Sequence, residues 1–134
     1  ALIEFERKAS FLKNTIYAPL IYELFGMARE RFRGAILFAL LFGSAARKQA
    51  TRSSDVDLLI VINKNGNVKN RLETEVKGLE KEFNYAISPA VISLQELTHN
   101  WHEQPIYKSI WKDRVVLFGE ESFWEFALSE GEPT

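Results

Sequence analysis

Two charge-free apolar runs limit what this chain can fold into. Residues 35–42, Ala-Ile-Leu-Phe-Ala-Leu-Leu-Phe, contain no polar side chain, and Leu58-Leu59-Ile60-Val61-Ile62 repeats that character after a basic and then acidic interval. Both runs fall far short of the ~18–20 residues a membrane span requires. Their length suits strands buried on both faces, which lose the apolar/polar alternation of a half-exposed sheet. Strands of that kind need helices on either side to cover them.

The remaining sequence supplies such helices. Residues 2–14 read as a short helix of mixed character. Pro19 suits the first turn of a second helix, where its missing N–H costs little. Leu20, Leu24 and Met27 share a face of that helix, and Gly34 is expected to end it after Arg29, Arg31 and Arg33. Residues 68–82 place Val68, Leu72, Val76 and Leu79 on one face, with Asn67 as the expected cap. Tyr85 to Ser93 reads as a third strand, with Pro89 pointing to a bulge or an edge. Ser93 and Glu96 have capping-box spacing. Residues 104–112 are expected to be helical, Val115 to Phe118 a short strand and Ser122 to Leu128 a last helix. The expected fold is α/β (α+β), a small mixed sheet flanked by helices.

At 134 residues the chain suits one domain, 1–134. Residues 1–16 are expected to be a linker helix from a longer chain, since Ala1 stands where an initiator Met would, and 129–134 a frayed tail. The N-terminus is acidic and lacks a basic leader region, so it does not read as a signal peptide. Cysteine is absent, which removes disulfides, thiolate metal sites and cysteine nucleophiles and fits a reducing compartment; the expected location is cytoplasmic. The formal net charge of −1 argues against an extended nucleic acid as partner. Charge is nonetheless split. Residues 1–54 hold nine Lys/Arg against four Asp/Glu, and residues 55–134 hold eight against fourteen. The switch falls at Asp55.

The chemistry concentrates around that switch. The first apolar run ends in Gly43-Ser44. Glycine lets the chain turn sharply and lets a phosphate approach closely, and a helix starting near Ala45 would offer free N–H groups to an anion. Asp55 and Asp57 begin the second run, and residues i and i+2 of a strand point to the same face. Two carboxylates side by side repel, a cost that a divalent cation removes; oxygen-only ligands suit magnesium or manganese. An anion cradle beside a cation site is what a metal–nucleoside triphosphate needs.

Gly43-Ser44-Ala45-Ala46-Arg47-Lys48, about ten residues from Ser44 to Ser54-Asp55-Val56-Asp57-Leu58, resembles the DNA polymerase β-like nucleotidyltransferase superfamily, in its minimal, antitoxin-like branch. Lys48 stands where that branch favours glycine. Ile87 to Leu94 and Pro105-Ile106-Tyr107 … Val116-Leu117-Phe118-Gly119 also look like this branch, so the resemblance spans about residues 17–119. It implies the nucleotidyltransferase fold. It implies contacts from Gly43, Ser44, Arg47 and Ser54 to nucleotide, and Asp55 and Asp57 as catalytic ligands of Mg2+ or Mn2+. The implied reaction transfers a nucleoside monophosphate from an NTP, ATP first, to a hydroxyl acceptor. Catalytic members carry a third carboxylate on the following strand. Here that strand, residues 84–92, has no Asp or Glu, and Ser88 or Asn84 stands near the expected position. The alternatives are therefore a nucleotide-binding regulatory or antitoxin-type module with weak or no turnover, beside a protein acceptor or toxin-like partner, and an unrelated domain in which the two Asp merely start a strand.

Other candidates have plainer readings. His99 and His102 have i, i+3 spacing for a metal, but no third ligand is evident. Ser44 lacks the flanking pattern of a nucleophile. Trp101, Trp111, Phe123, Trp124 and Phe126 suit a core better than a partner surface.

Overall fold

The structure is a computed structural model that describes residues 17–51, 53–63 and 66–134. The expected 2–14 helix, Arg52 and part of the turn at residues 63–67 lie outside the described residues. In chain order the elements are α1 (Ala18–Arg31), β1 (Ile36–Phe42), α2 (Gly43–Ala46), β2 (Val56–Ile62), α3 (Gly66–Phe83), β3 (Ile87–Ser93), α4 (Leu94–Asn100), α5 (Ile106–Asp113), β4 (Val115–Phe118) and α6 (Glu120–Glu130).

The strands form one mixed sheet in the order β3-β2-β1-β4. β1 runs antiparallel to β2 and β4, and β2 runs parallel to β3. The two apolar runs thus become the two central strands, and period-2 alternation splits their side chains between two cores. Ala39, Leu41, Leu58, Ile60 and Ile62 join Leu20, Leu24 and Met27 of α1 and Leu72 and Val76 of α3. Phe38, Leu40, Leu59 and Val61 join Leu97, Trp101, Tyr107, Ile110, Phe123 and Phe126 on the other face. Neither strand could alternate with polar residues without placing one inside a core.

Boundaries differ from the sequence expectation where local geometry decides them. α1 stops at Arg31, and the Phe32 N–H still reaches Ala28 O at 3.2 Å; Gly34 then takes a left-handed φ of 81° in the connection to β1. α3 begins at Gly66, so Asn67 lies inside its first turn instead of capping it. Its far end closes at Asn84, whose φ of 55° is the left-handed conformation asparagine tolerates. Ser93 caps α4 as expected, accepting the Glu96 N–H at 3.2 Å. Pro89 lies on the edge strand β3, and the Glu80 carboxylate accepts the Ile87 N–H at 2.7 Å. Arg31 pairs with Glu75 at 2.6 Å, joining α1 to α3.

α6 extends to Glu130, past the expected Leu128. Residues 129–134, for which fraying is expected, make specific contacts. Trp101 Nε1 donates to Gly131 O at 2.8 Å, Trp111 Nε1 donates to Glu132 at 3.1 Å, and Pro133 is buried. His102 lies 2.9 Å from Glu130 O through Nε2 and 3.3 Å from the Thr134 hydroxyl through Nδ1, so its ring is engaged by the tail. The aromatics divide: Trp101, Phe123 and Phe126 are core, whereas Trp124 is exposed, edge-on to Trp111, with the Arg114 guanidinium near both rings.

Candidate active site

The antiparallel pairing of β1 with β2 sets Phe42 opposite Asp57, so the chain turns into Gly43-Ser44 directly beside that carboxylate. Gly43 adopts φ 71°, and a Cβ built on it would fall on the Asp57 carboxylate. Glycine is required here for two separate reasons: the left-handed backbone and the space. Gly43 to Ala46 form a single helical turn, α2, anchored through buried Ala45 and Ala46. The Tyr17 hydroxyl, at the start of α1, donates to Ala45 O and ties that turn to the core.

Asp55 is exposed just ahead of β2, and Asp57 is half-buried within it. Asp57 shares the sheet face of Leu59 and Val61. Its carboxyl is held above the ordinary value of 3.8, first by burial and then by the charge of Asp55, with Arg47 acting in the opposite sense. The electrostatic field of the site therefore disfavours a second negative charge and favours a cation.

The parallel ladder from β2 to β3 decides which residue stands opposite Asp57. Asp57 pairs with Ser88, whose hydroxyl lies 3.5 Å from Asp55 Oδ2, a long contact. Asn84 is not in the strand. The chain thus brings two carboxylates and a hydroxyl together. Among the described residues, no three His, Cys, Asp or Glu side chains gather as a metal-binding group. Two carboxylates fit magnesium, which commonly takes one or two from protein and the rest from phosphate and water.

The other expected site residues have the following places. Ser44 is half-buried in α2. The Ser54 hydroxyl accepts the Thr51 N–H at 3.0 Å and so braces the loop before Asp55. The Arg47 guanidinium bonds Gln49 Oε1 through Nε at 3.1 Å and Asp113 Oδ2 through Nη1 at 2.5 Å. Sequence reasoning passed over Asp113. Its signal is a carboxylate at the last position of a helix, where the backbone dipole opposes it.

Lys48 has a left-handed φ of 57°, so this position takes the conformation that glycine accepts without strain. Lys48→Gly is expected to raise Tm by about 2–4 °C, near 0.5–1 kcal/mol, and Lys48→Val to lower it. Calorimetry of the two variants checks this; a Tm ordering with valine above glycine would contradict it.

A family model described as polymerase beta, nucleotidyltransferase matches residues 29–122. The chain belongs to this nucleotidyltransferase family, and the matched span runs from the end of α1 into α6. No curated protein matches the sequence. Its fold is similar to that of a toxin–antitoxin MntA–HpeT mutant, with a TM-score of 0.59, 14% identity and 82% of each chain covered. It is also similar to a toxin–antitoxin structure with AMP-PNP, at a TM-score of 0.56, 15% identity and 82% coverage of each chain. At these identities the likeness is one of fold. No helix among the described residues is long and apolar enough to cross a membrane.

Proposed function

We propose that this chain transfers a nucleoside monophosphate from a metal-bound nucleoside triphosphate, Mg–ATP first, to a hydroxyl acceptor. The observation that carries this reading is the closeness of Gly43 to the Asp57 carboxylate, on which any Cβ at that position would fall. It leaves a phosphate-accepting turn and a metal-accepting carboxylate with no side chain between them. Gly43 and Ser44 would hold the triphosphate through backbone N–H groups and the hydroxyl. Arg47 would meet phosphate charge from the end of α2. Asp55 and Asp57 would hold Mg2+ or Mn2+, and Ser54 would keep the approach to Asp55 in shape. When bound, the cation neutralises phosphate charge and aligns the reacting oxygens. In the reaction the acceptor oxygen bonds to the α-phosphorus, and the bond from that phosphorus to the bridging oxygen breaks. Pyrophosphate leaves with the electron pair, and the hydroxyl proton passes to water.

A specific observation favours a second reading. Ser88 occupies the position opposite Asp57 where catalytic relatives are expected to have a carboxylate. A module that binds nucleotide and turns over weakly or not at all would tolerate that exchange. The toxin–antitoxin neighbours add a protein partner to this reading, and that partner would also be the natural hydroxyl acceptor for the first.

One experiment separates the two. The chain is incubated with α-labelled ATP and Mg2+, alone and with candidate protein acceptors, and label transfer and pyrophosphate are measured. Transfer supports the enzyme. Binding without pyrophosphate supports the module, and Ser88→Asp is then expected to tighten Mn2+ binding by roughly tenfold, the scale on which one group around a metal changes its affinity. Absence of both binding and transfer rejects both readings.

A further inference from the structure

We propose that Asp113 is a positioning residue that, with Gln49, fixes the Arg47 guanidinium in the orientation in which it receives a nucleotide phosphate. This rests on the nucleotide-binding reading of the Gly43–Asp57 site. Arg47 lies at the end of α2, immediately after the turn that contains Gly43 and Ser44. Two of its five N–H donors are committed to Gln49 and Asp113, so the planar fork is held at two points while the other donors stay available. Its side chain remains 46% exposed, whereas that of Asp113 is 12% exposed. The anchor is therefore sheltered and the anchored group accessible, which an ordinary solvent-exposed pair would not give.

Asp113 is an expensive residue for its place. It is the last residue of α5, and a carboxylate there faces the negative end of the helix dipole. Arg47 supplies the opposing charge, and the two helices pack against each other. The Arg47 charge also reaches Asp57, where it works against the burial that holds that carboxyl up. Asp113, Arg47 and Asp57 thus form a charge sequence running from α5 to the proposed metal ligands. A pre-oriented guanidinium loses less freedom on meeting a phosphate than a loose one. That is the gain Asp113 would provide without touching the nucleotide.

The test is a double-mutant cycle read by titration calorimetry. The probe is Mg2+ with an ATP analogue that carries a methylene between the α- and β-phosphates and so cannot be turned over. Asp113→Asn is expected to weaken binding about three- to fivefold, and to have no further effect in an Arg47→Ala background. Asp113→Glu is expected to recover most of the loss. A structural role alone would weaken both backgrounds equally, and that result overturns the proposal, as does unchanged affinity in Asp113→Asn when the wild type binds. Relaxation of the Arg47 Nε–H by nitrogen NMR reads the clamp without nucleotide: it should report a rigid group in the wild type and a mobile one in Asp113→Asn. Unchanged relaxation overturns the clamp itself. A loosened Arg47 in a chain whose wild type binds no nucleotide upholds the clamp, and the phosphate role then falls with the proposed function.

Discussion

Asp57→Asn is expected to abolish the proposed metal-dependent nucleotidyl transfer while leaving the fold as stable as before or slightly more so. The two effects come from one cause. Asp57 is half-buried beside Asp55, and both burial and that neighbouring charge disfavour its ionised form. Because the folded chain holds this carboxyl above 3.8, Asp57 costs no stability at low pH and becomes a liability as pH rises from 3.8 through the raised value. At neutral pH the charged group is tolerated by the fold, not needed by it. Asparagine keeps the shape and removes the charge. Melting measured from pH 3 to 8 should therefore show less loss of stability on raising pH in the variant than in the wild type. Activity should move the other way, by more than about a hundredfold, since losing one of the two proposed metal ligands should exceed the loss of a supporting group. Added Mg2+ should stabilise the wild type more than the variant. Full transfer by Asp57→Asn would remove Asp57 from the proposed chemistry.

Gly119→Ala is expected to have the largest effect on folding. Gly119 links β4 to α6 at φ 76°, and a Cβ there would meet backbone: Leu37 O, and Phe38 Cα at 2.7 Å. A flexible side chain could turn away, but those atoms belong to β1, the strand bonded on both sides. Phe38 is also fully buried and packs edge-on to Phe123 with ring centroids 5.5 Å apart. The left-handed backbone adds its own cost for any residue with a Cβ. Together these should destabilise the chain by more than about 3 kcal/mol, near 10 °C in Tm, and urea titration or scanning calorimetry would measure it. The comparison substitution is Gly78→Ala, inside α3, where a Cβ meets nothing within 4 Å. A small effect at Gly119 would mean that β1 and β4 yield more readily than their packing indicates.

These two positions also show how much the sequence discloses. The two-strand centre was legible because residues 35–42 and 58–62 have no polar side chain to place anywhere but between two layers. Gly43, Asp55 and Asp57 were legible because the relevant geometry is local: a turn at a strand end, and i, i+2 on one face. The group opposite Asp57 was legible only as Ser88 or Asn84. Choosing between them requires the β2–β3 register, which is set by packing along the whole strand pair. The Arg47–Asp113 bond joins residues 66 apart in sequence, and no local pattern announces such a pair. Helix ends moved for smaller reasons. α1 stops short of the glycine expected to end it, and α6 runs on to Glu130, with Gly131 taking a positive φ just beyond.

The layout of the sheet carries a consequence for assembly. An open sheet exposes a row of unpaired backbone groups at each outer strand, and another chain can add a strand there. Here one outer strand is β3. Pro89 removes a donor from its middle, and Glu80 already occupies the Ile87 N–H. The opposite outer strand, β4, has 4 residues and ends at the tight Gly119 turn. Neither margin is a good template for extending the ladder into a second molecule. Among the described residues, self-association by edge pairing is thereby discouraged, and the surfaces left for a macromolecular partner are helices and loops, including the turn that carries Gly43.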